Sequence, residues 1–433
     1  MNSLILRNAL CAVLSPIRLE RADVRIADGT ITEVGPTLRA GPDDIVEDLH
    51  GALLMPGLVC AHTHLYSSLS RGMPGPDGEP ENFTAILEKI WWKLDRALDE
   101  DAIRFSAIAG ALEAVRCGVT TIVDHHASPN LIRGSLSIIE NALSGIGVRA
   151  VLCYETSDRD GPGRRDEGLA ENEEFVARRR SHGMVRGLVG AHASFTLSDE
   201  SLRMLGEMVE RLDSGLHIHV AEDPADQERT RANYGRDILD RFRAFGLHRR
   251  RSVFAHCLHL SDEDYADLRS HGPWLVHNPR SNMNNTVGHA PLHQFGERAA
   301  LGTDGFPADM FEELRTAFFK NREANPRIPP SRIVDLLNNG QRMISEIFDR
   351  PFGGIDAGSP ADLVLLDYLP PTPMTAENLP YHVLFGLRSS MVESVMINGT
   401  WVMRNRRFVH LQEDELLRGA SAAAARLWRK MHA

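Results

Sequence analysis

Eight short apolar runs, set apart by longer amphipathic stretches, constrain this chain more than any other feature. They are LLMPGLVCAHTH, TTIVDHH (120–126), RAVLCYE (149–155), VRGLVGAHA (185–193), LHIHVAE (216–222), SVFAHC (252–257), WLVHNP (274–279) and AALGTDG (299–305). A run of that length is a buried strand. When amphipathic helices such as SDESLRMLGEMVERLD, with Ser198 as N-cap, lie between such runs, the strands form a parallel sheet. Eight βα units are what a closed (β/α)8 barrel requires. The rival architecture, an open doubly wound sheet, lacks its marks here: no G-x-G-x-x-G follows the first run and no G-x-x-x-x-G-K-[ST] occurs anywhere.

Both chain ends read differently. Residues 3–35 alternate apolar and polar positions around Ala27-Asp28-Gly29, and 361–367 and 392–409 do the same around Asn398-Gly399. We therefore expect an α/β protein: a TIM-like barrel over 56–350, and a small β-sandwich domain built from both termini, 1–55 and 351–433, the latter ending in an alanine-rich helix.

At 433 residues the chain can bury a large core, and its formal charge of −11 excludes the dense basic field that nucleic acid or an anionic membrane surface would need. No uncharged apolar run approaches the ~20 residues of a membrane helix. Five scattered cysteines without a C-x-x-C point to reduced thiols in a cytoplasmic protein and exclude a cysteine zinc cluster. A small-molecule partner fits best.

The polar residues of the eight runs gather at their C-terminal ends, where barrel active sites are built. One buried histidine there is more often a hydrogen-bonded core residue than a ligand; such a coincidence on many strands is not. His62 and His64, two apart, share one face of a strand. With His219 and Asp304 they offer three nitrogens and one oxygen, a donor set for zinc or ferrous iron that leaves a position for water. His217 is the register rival of His219, but only His219 stands three residues before Glu222; we assign His217 a supporting role. Glu222 is placed to move protons, although a carboxylate opening an acidic helix is the plainer reading. His256 can bond the water or a developing oxyanion, and Asp304 can accept the water's proton.

The spans MPGLVCAHTHLYSSLSRGM, TTIVDHHASP, GAHASFTLS, HIHVAE, AHCLHL, LVHNPRSNMNN and LGTDG resemble the amidohydrolase superfamily, within its cytosine, guanine, adenosine-type and triazine aminohydrolases. HHASP, AHASFTLS and HNPxSNMNN are most similar to the aminohydrolase group called SsnA. The resemblance covers nearly the whole chain. It implies one divalent metal, Zn2+ before Fe2+, on His62, His64, His219 and Asp304, with Glu222 as proton shuttle and His256 as electrophile. It further implies substrate contacts at His192, His277 and Asn278; Arg280 and the Ser281–Asn285 stretch are candidates for more, and we add His125. Dimerisation is common in the family it resembles.

Two departures matter. Binuclear members bridge two metals with a carbamylated lysine on the fourth strand, but this chain has no lysine between Lys93 and Lys320, and the fourth run ends in His192. Deaminases of the group often carry glutamine three residues after the second histidine of H-x-H, where this chain has Ser67. The expected function is hydrolytic deamination of a purine, pterin or related N-heterocycle through a metal-activated water. Hydrolysis of an amide or cyclic amide at the same site is the alternative, and a barrel that binds metal or ligand without turnover is a third reading.

Overall fold

The computed structural model describes residues 3–76, 78–179, 183–324 and 328–431. Its centre is a barrel of eight parallel strands: Leu58–Thr63, Val119–His126, Arg149–Tyr154, a fourth in two pieces (Val185–Gly187 and Val189–Ala193), Leu216–Val220, Val253–His256, Trp274–His277 and Ala299–Leu301. Two hydrogen-bonded groups, strands one to four and four to eight, close at Thr156 with Ala191 and at Thr63 with Asp304. Barrel closure thus falls beside two of the residues that carry chemistry.

The first apolar run does not form one strand. Leu53–Pro56 pairs with Leu363–Leu366 in a separate sheet, and the barrel strand begins only at Leu58. Proline has no N–H to continue a ladder, so the chain changes sheets there. That sheet has nine strands among the described residues. Five come from Leu4 to Pro56 and four from Leu363 to Phe408, all on one hydrogen-bonded path apart from Ile45–Asp48, which adds beside Leu4–Leu14. Its hairpins close through Asp28-Gly29 (φ +48° and +74°) and Asn398-Gly399 (φ +50° and +77°), turns whose twist matches that of the strands. Leu6, Val24, Ile26, Leu54, Leu363 and Met396 form its own core.

Buried faces on Glu100–Arg116 and Glu413–Met431 pack the C-terminal helix through Ala420, Ala423 and Leu427. Ser198 caps Asp199–Arg211 by accepting the Ser201 N–H. The segment before Glu100 is less regular than its sequence implies. A π turn, Leu87–Trp91, interrupts it between Phe83–Ile86 and Trp92–Ala97, and this brings Trp91 and Trp92 to the pocket.

Candidate active site

His62 lies at the end of the first strand and His64 just after it, His219 lies in the fifth, and Asp304 follows the eighth; all converge at the C-terminal mouth of the barrel. Each imidazole has its orientation fixed from behind. His64 Nδ1 donates to the His125 carbonyl (2.6 Å) and His219 Nδ1 to the His192 carbonyl (2.9 Å). His217, the register rival, turns away to meet His62 Nδ1 through its Nε2 at 2.8 Å.

With their Nδ1 protons committed, His64 and His219 present bare Nε2 lone pairs to each other at 3.1 Å. Asp304 Oδ1 stands 2.9 Å from His64 Nε2 and 3.6 Å from His62 Nε2, and His62 Nε2 is buried without a hydrogen-bond partner among the described residues. Lone pairs and a carboxylate facing one another repel unless a cation sits among them. The donor set of three imidazoles and one carboxylate, each nitrogen oriented by a second bond, fits a divalent transition metal. The electrostatics agree. Burial drives His62 down to about 3 and His219 well below its ordinary value, whereas His64, despite burial, is drawn up to about 9 by Asp304. The centre of the cluster demands positive charge.

Glu222 lines the pocket beside this set. Its Oε2 is 3.5 Å from His256 Nε2, and its Oε1 accepts from Asn285 Nδ2 at 3.3 Å. Burial pushes its carboxyl up to about 7; His256 opposes the shift and Asp304 adds to it. Asn282 Oδ1 accepts from His256 Nδ1 at 2.8 Å, and Ser281 Oγ donates to Asp304 Oδ2. Ala221, His256 and Asp304 all have positive φ (+45°, +73° and +53°), a conformation that costs L-residues free energy and recurs at functional sites.

The remaining expectations fare unevenly. His192 lines the pocket. The pocket walls do not include His277, Asn278 or Arg280, and Asn278 Nδ2 stands 3.5 Å from His256 Nε2. Arg280 is taken up by Glu313, Glu312 and the Pro307 carbonyl, and His277 lies buried near Phe295. His125 too is withdrawn from the cavity; its Nε2 donates to the carbonyls of Ala191 and His217 (3.0 and 3.2 Å) and its Nδ1 faces Glu155. Ser281, Asn284 and Asn285 do reach the walls, and Ser67 lines them with its hydroxyl donated to the His64 carbonyl. Sequence reading missed the aromatic wall of Tyr66, Phe83, Trp91, Trp92 and Phe306, and gave no pocket role to the carboxylates Asp95, Glu155 and Asp226. Glu155 carried a signal, as the last residue of its run.

A family model described as "Amidohydrolase family" matches residues 53–402, most of the chain. The chain belongs to the amidohydrolase family. Among curated amidohydrolase relatives, it is 32% identical over 426 residues to a 5-methylthioadenosine/S-adenosylhomocysteine deaminase of Desulforudis audaxviator, covering 94% of each chain. It is 29% identical to a 5'-deoxyadenosine deaminase of Methanosarcina mazei, over 99% of each. Its fold is shared with an adenosine deaminase from Xanthomonas campestris with bound zinc (TM-score 0.86, 23% identity, 98% of each chain). It is shared equally with the zinc complex of the atrazine chlorohydrolase TrzN from Arthrobacter aurescens (TM-score 0.84, 21% identity, 97% of this chain and 100% of that one). This amidohydrolase therefore has the TIM-like barrel and accessory sheet of its family, and no described helix is long and apolar enough to cross a membrane.

Proposed function

We propose that this amidohydrolase is a mononuclear, zinc-dependent aminohydrolase that removes the amino group of an N-heterocycle as ammonia, with the barrel 56–350 as its catalytic domain. The observation that carries the proposal is the convergence of the His62, His64 and His219 Nε2 atoms with Asp304, with a buried carboxyl near neutral pKa alongside. The curated relatives, named for deaminating adenosine derivatives, support a 6-aminopurine as the first substrate class to try.

His62, His64, His219 and Asp304 would hold the metal, and when bound it supplies the Lewis acidity that makes a nucleophile of water near neutral pH. The protein's own groups manage the protons. Hydrolysis adds the water oxygen to the ring carbon and breaks its bond to nitrogen; the two water protons finish on a ring nitrogen and on the departing ammonia. Glu222 is the carrier. With its carboxyl near 7 it accepts a proton and returns it without a large penalty in either direction. His256 Nε2, 3.5 Å from Glu222 Oε2, is a second resting place for that proton, and Asn282 holds the ring in that orientation. Tyr66, Phe83, Trp91 and Trp92 give a planar ring a surface to stack on. The five cysteines, all unpaired, fit a reducing compartment such as the cytoplasm.

The test is ammonia release by metal-replete protein across aminopurines, pterins, triazines and cytosine analogues. Ammonia from one class supports the proposal. Turnover of a cyclic amide without ammonia would replace it with ring-amide hydrolysis.

A further inference from the structure

A second set of polar groups, with no part in the proton traffic above, enters the same pocket from the third and fourth strands, backed by His125 of the second. Glu155, directly after the third strand, lies in the pocket wall and is 6% exposed. Its Oε2 is 3.2 Å from His125 Nδ1 and its Oε1 is 4.0 Å from His192 Nε2. The hydrogen bonds behind these rings fix what each presents. His125 Nε2 is committed to two carbonyls, so only Nδ1 can face Glu155. The Thr196 hydroxyl donates to the Ala193 carbonyl (3.1 Å) and therefore accepts from His192 Nδ1 (2.7 Å), which leaves His192 Nε2 a bare lone pair.

Glu155 Oε1 and His192 Nε2 are thus two acceptors side by side, and among the described residues no donor hydrogen-bonds Oε1. Buried acceptors without donors cost free energy, so a site of this kind is completed by what enters it. His125 Nδ1 takes up Oε2 at 3.2 Å, so Oε1 is the carboxylate acceptor that the cavity sees. Among the described residues no lysine or arginine lines the pocket, while Tyr66, Trp91, Trp92 and Phe195 do. Aromatic faces around a buried carboxylate favour a flat, N–H-rich or cationic ring.

We infer that Glu155, with His192 Nε2, forms a subsite for a substrate N–H donor other than the amino group that leaves, so that the substrate is a planar heterocycle bearing a second amino or ring N–H group. The leaving amino group is served by Glu222 and His256 at the fifth and sixth strands; Glu155 and His192, at the third and fourth, meet another part of the ring. The inference rests on the deaminase reading for the identity of the leaving group, while binding is read separately.

The experiment compares 2,6-diaminopurine and its riboside with adenine and adenosine, pairs that differ by one added amino donor. Binding to metal-loaded wild type and Glu155→Gln is followed by quenching of tryptophan fluorescence, with ammonia release and metal content on the same samples. Hydrogen bonds to a charged group are strong, so the diamino ligands should bind wild type about tenfold to a hundredfold more tightly than their partners. Glu155→Gln should erase that preference, with the change in KM rather than kcat and with metal content unchanged. A structural role for Glu155 would weaken both members of each pair alike and overturns the inference. Equal affinity of wild type for both members, or no binding of the diamino ligands, overturns it as well, and this holds even if Glu155→Gln fails to fold. A preference that depends on Glu155, seen without ammonia release, sustains the subsite and rejects the deaminase reading.

Discussion

At the scale of single residues the proposed chemistry turns on Glu222. Glu222→Gln keeps the shape of the side chain and removes its capacity to carry a proton, so metal content should be unchanged while kcat falls by about 10²–10⁴-fold. Near-normal turnover would refute the role. Because burial raises this carboxyl to about 7, it is protonated below that pH and cannot accept a proton from water. The expected kcat/KM profile therefore rises with pH through about 7, and the residual activity of Glu222→Gln should lack that limb. The histidines and Asp304 were legible in the sequence because strand ends, two-residue spacing and a lysine-poor chain narrow the chemistry. Where the Arg280 side chain goes was not legible, because sequence position puts a residue near a strand end without saying which way it turns. Arg280 turns to Glu313 and Glu312, partners some thirty residues distant that no local pattern reveals. The particular roles of Asn282 behind His256 and Glu155 beside His125 were not legible for the same reason: they lie in contacts between strands.

At the scale of elements, the eight strands were readable because each is a short apolar run with a helix after it. The breaks were not. The fourth strand divides at Leu188, and its second piece meets the third strand through glycine: a Cβ on Gly190 would lie 2.3 Å from the Tyr154 carbonyl oxygen. That approach joins the two hydrogen-bonded groups of strands next to the Thr156–Ala191 bridge. Gly190→Ala should cost about 1–3 kcal/mol, the range for forcing extra atoms into a packed core. Urea denaturation measures it, and a loss below about 0.5 kcal/mol would show that the closure tolerates a methyl group. The π turn at Leu87–Trp91 was equally invisible, since its residues suit an α-helix and only the pocket gives the extra residue a purpose.

At the scale of the molecule, the two chain ends were expected to pair, and they do so in one continuous sheet. What ties that sheet to the barrel was not visible beforehand. Arg149, in the third barrel strand, is 1% exposed and forms a two-point ion pair with Asp362 (2.8 and 3.0 Å), just before the sheet strand Leu363–Leu366. Asp362 also accepts the Asn398 N–H at its hairpin. Removing one partner of a buried pair strands the other, so Asp362→Ala should destabilise the protein by about 3–5 kcal/mol. A shift under about 1 kcal/mol in chemical denaturation would mean that the two bodies are held by apolar packing alone.

The central claim, that one cation on His62, His64, His219 and Asp304 makes this amidohydrolase active, is tested most directly by reloading chelated protein with Zn2+ in graded amounts. Ammonia release from a responsive aminoheterocycle is followed at each step. We expect no activity in the chelated protein and a linear return that saturates at one equivalent per chain. Activity that survives chelation with the metal gone, or that saturates only at two equivalents, would contradict the account.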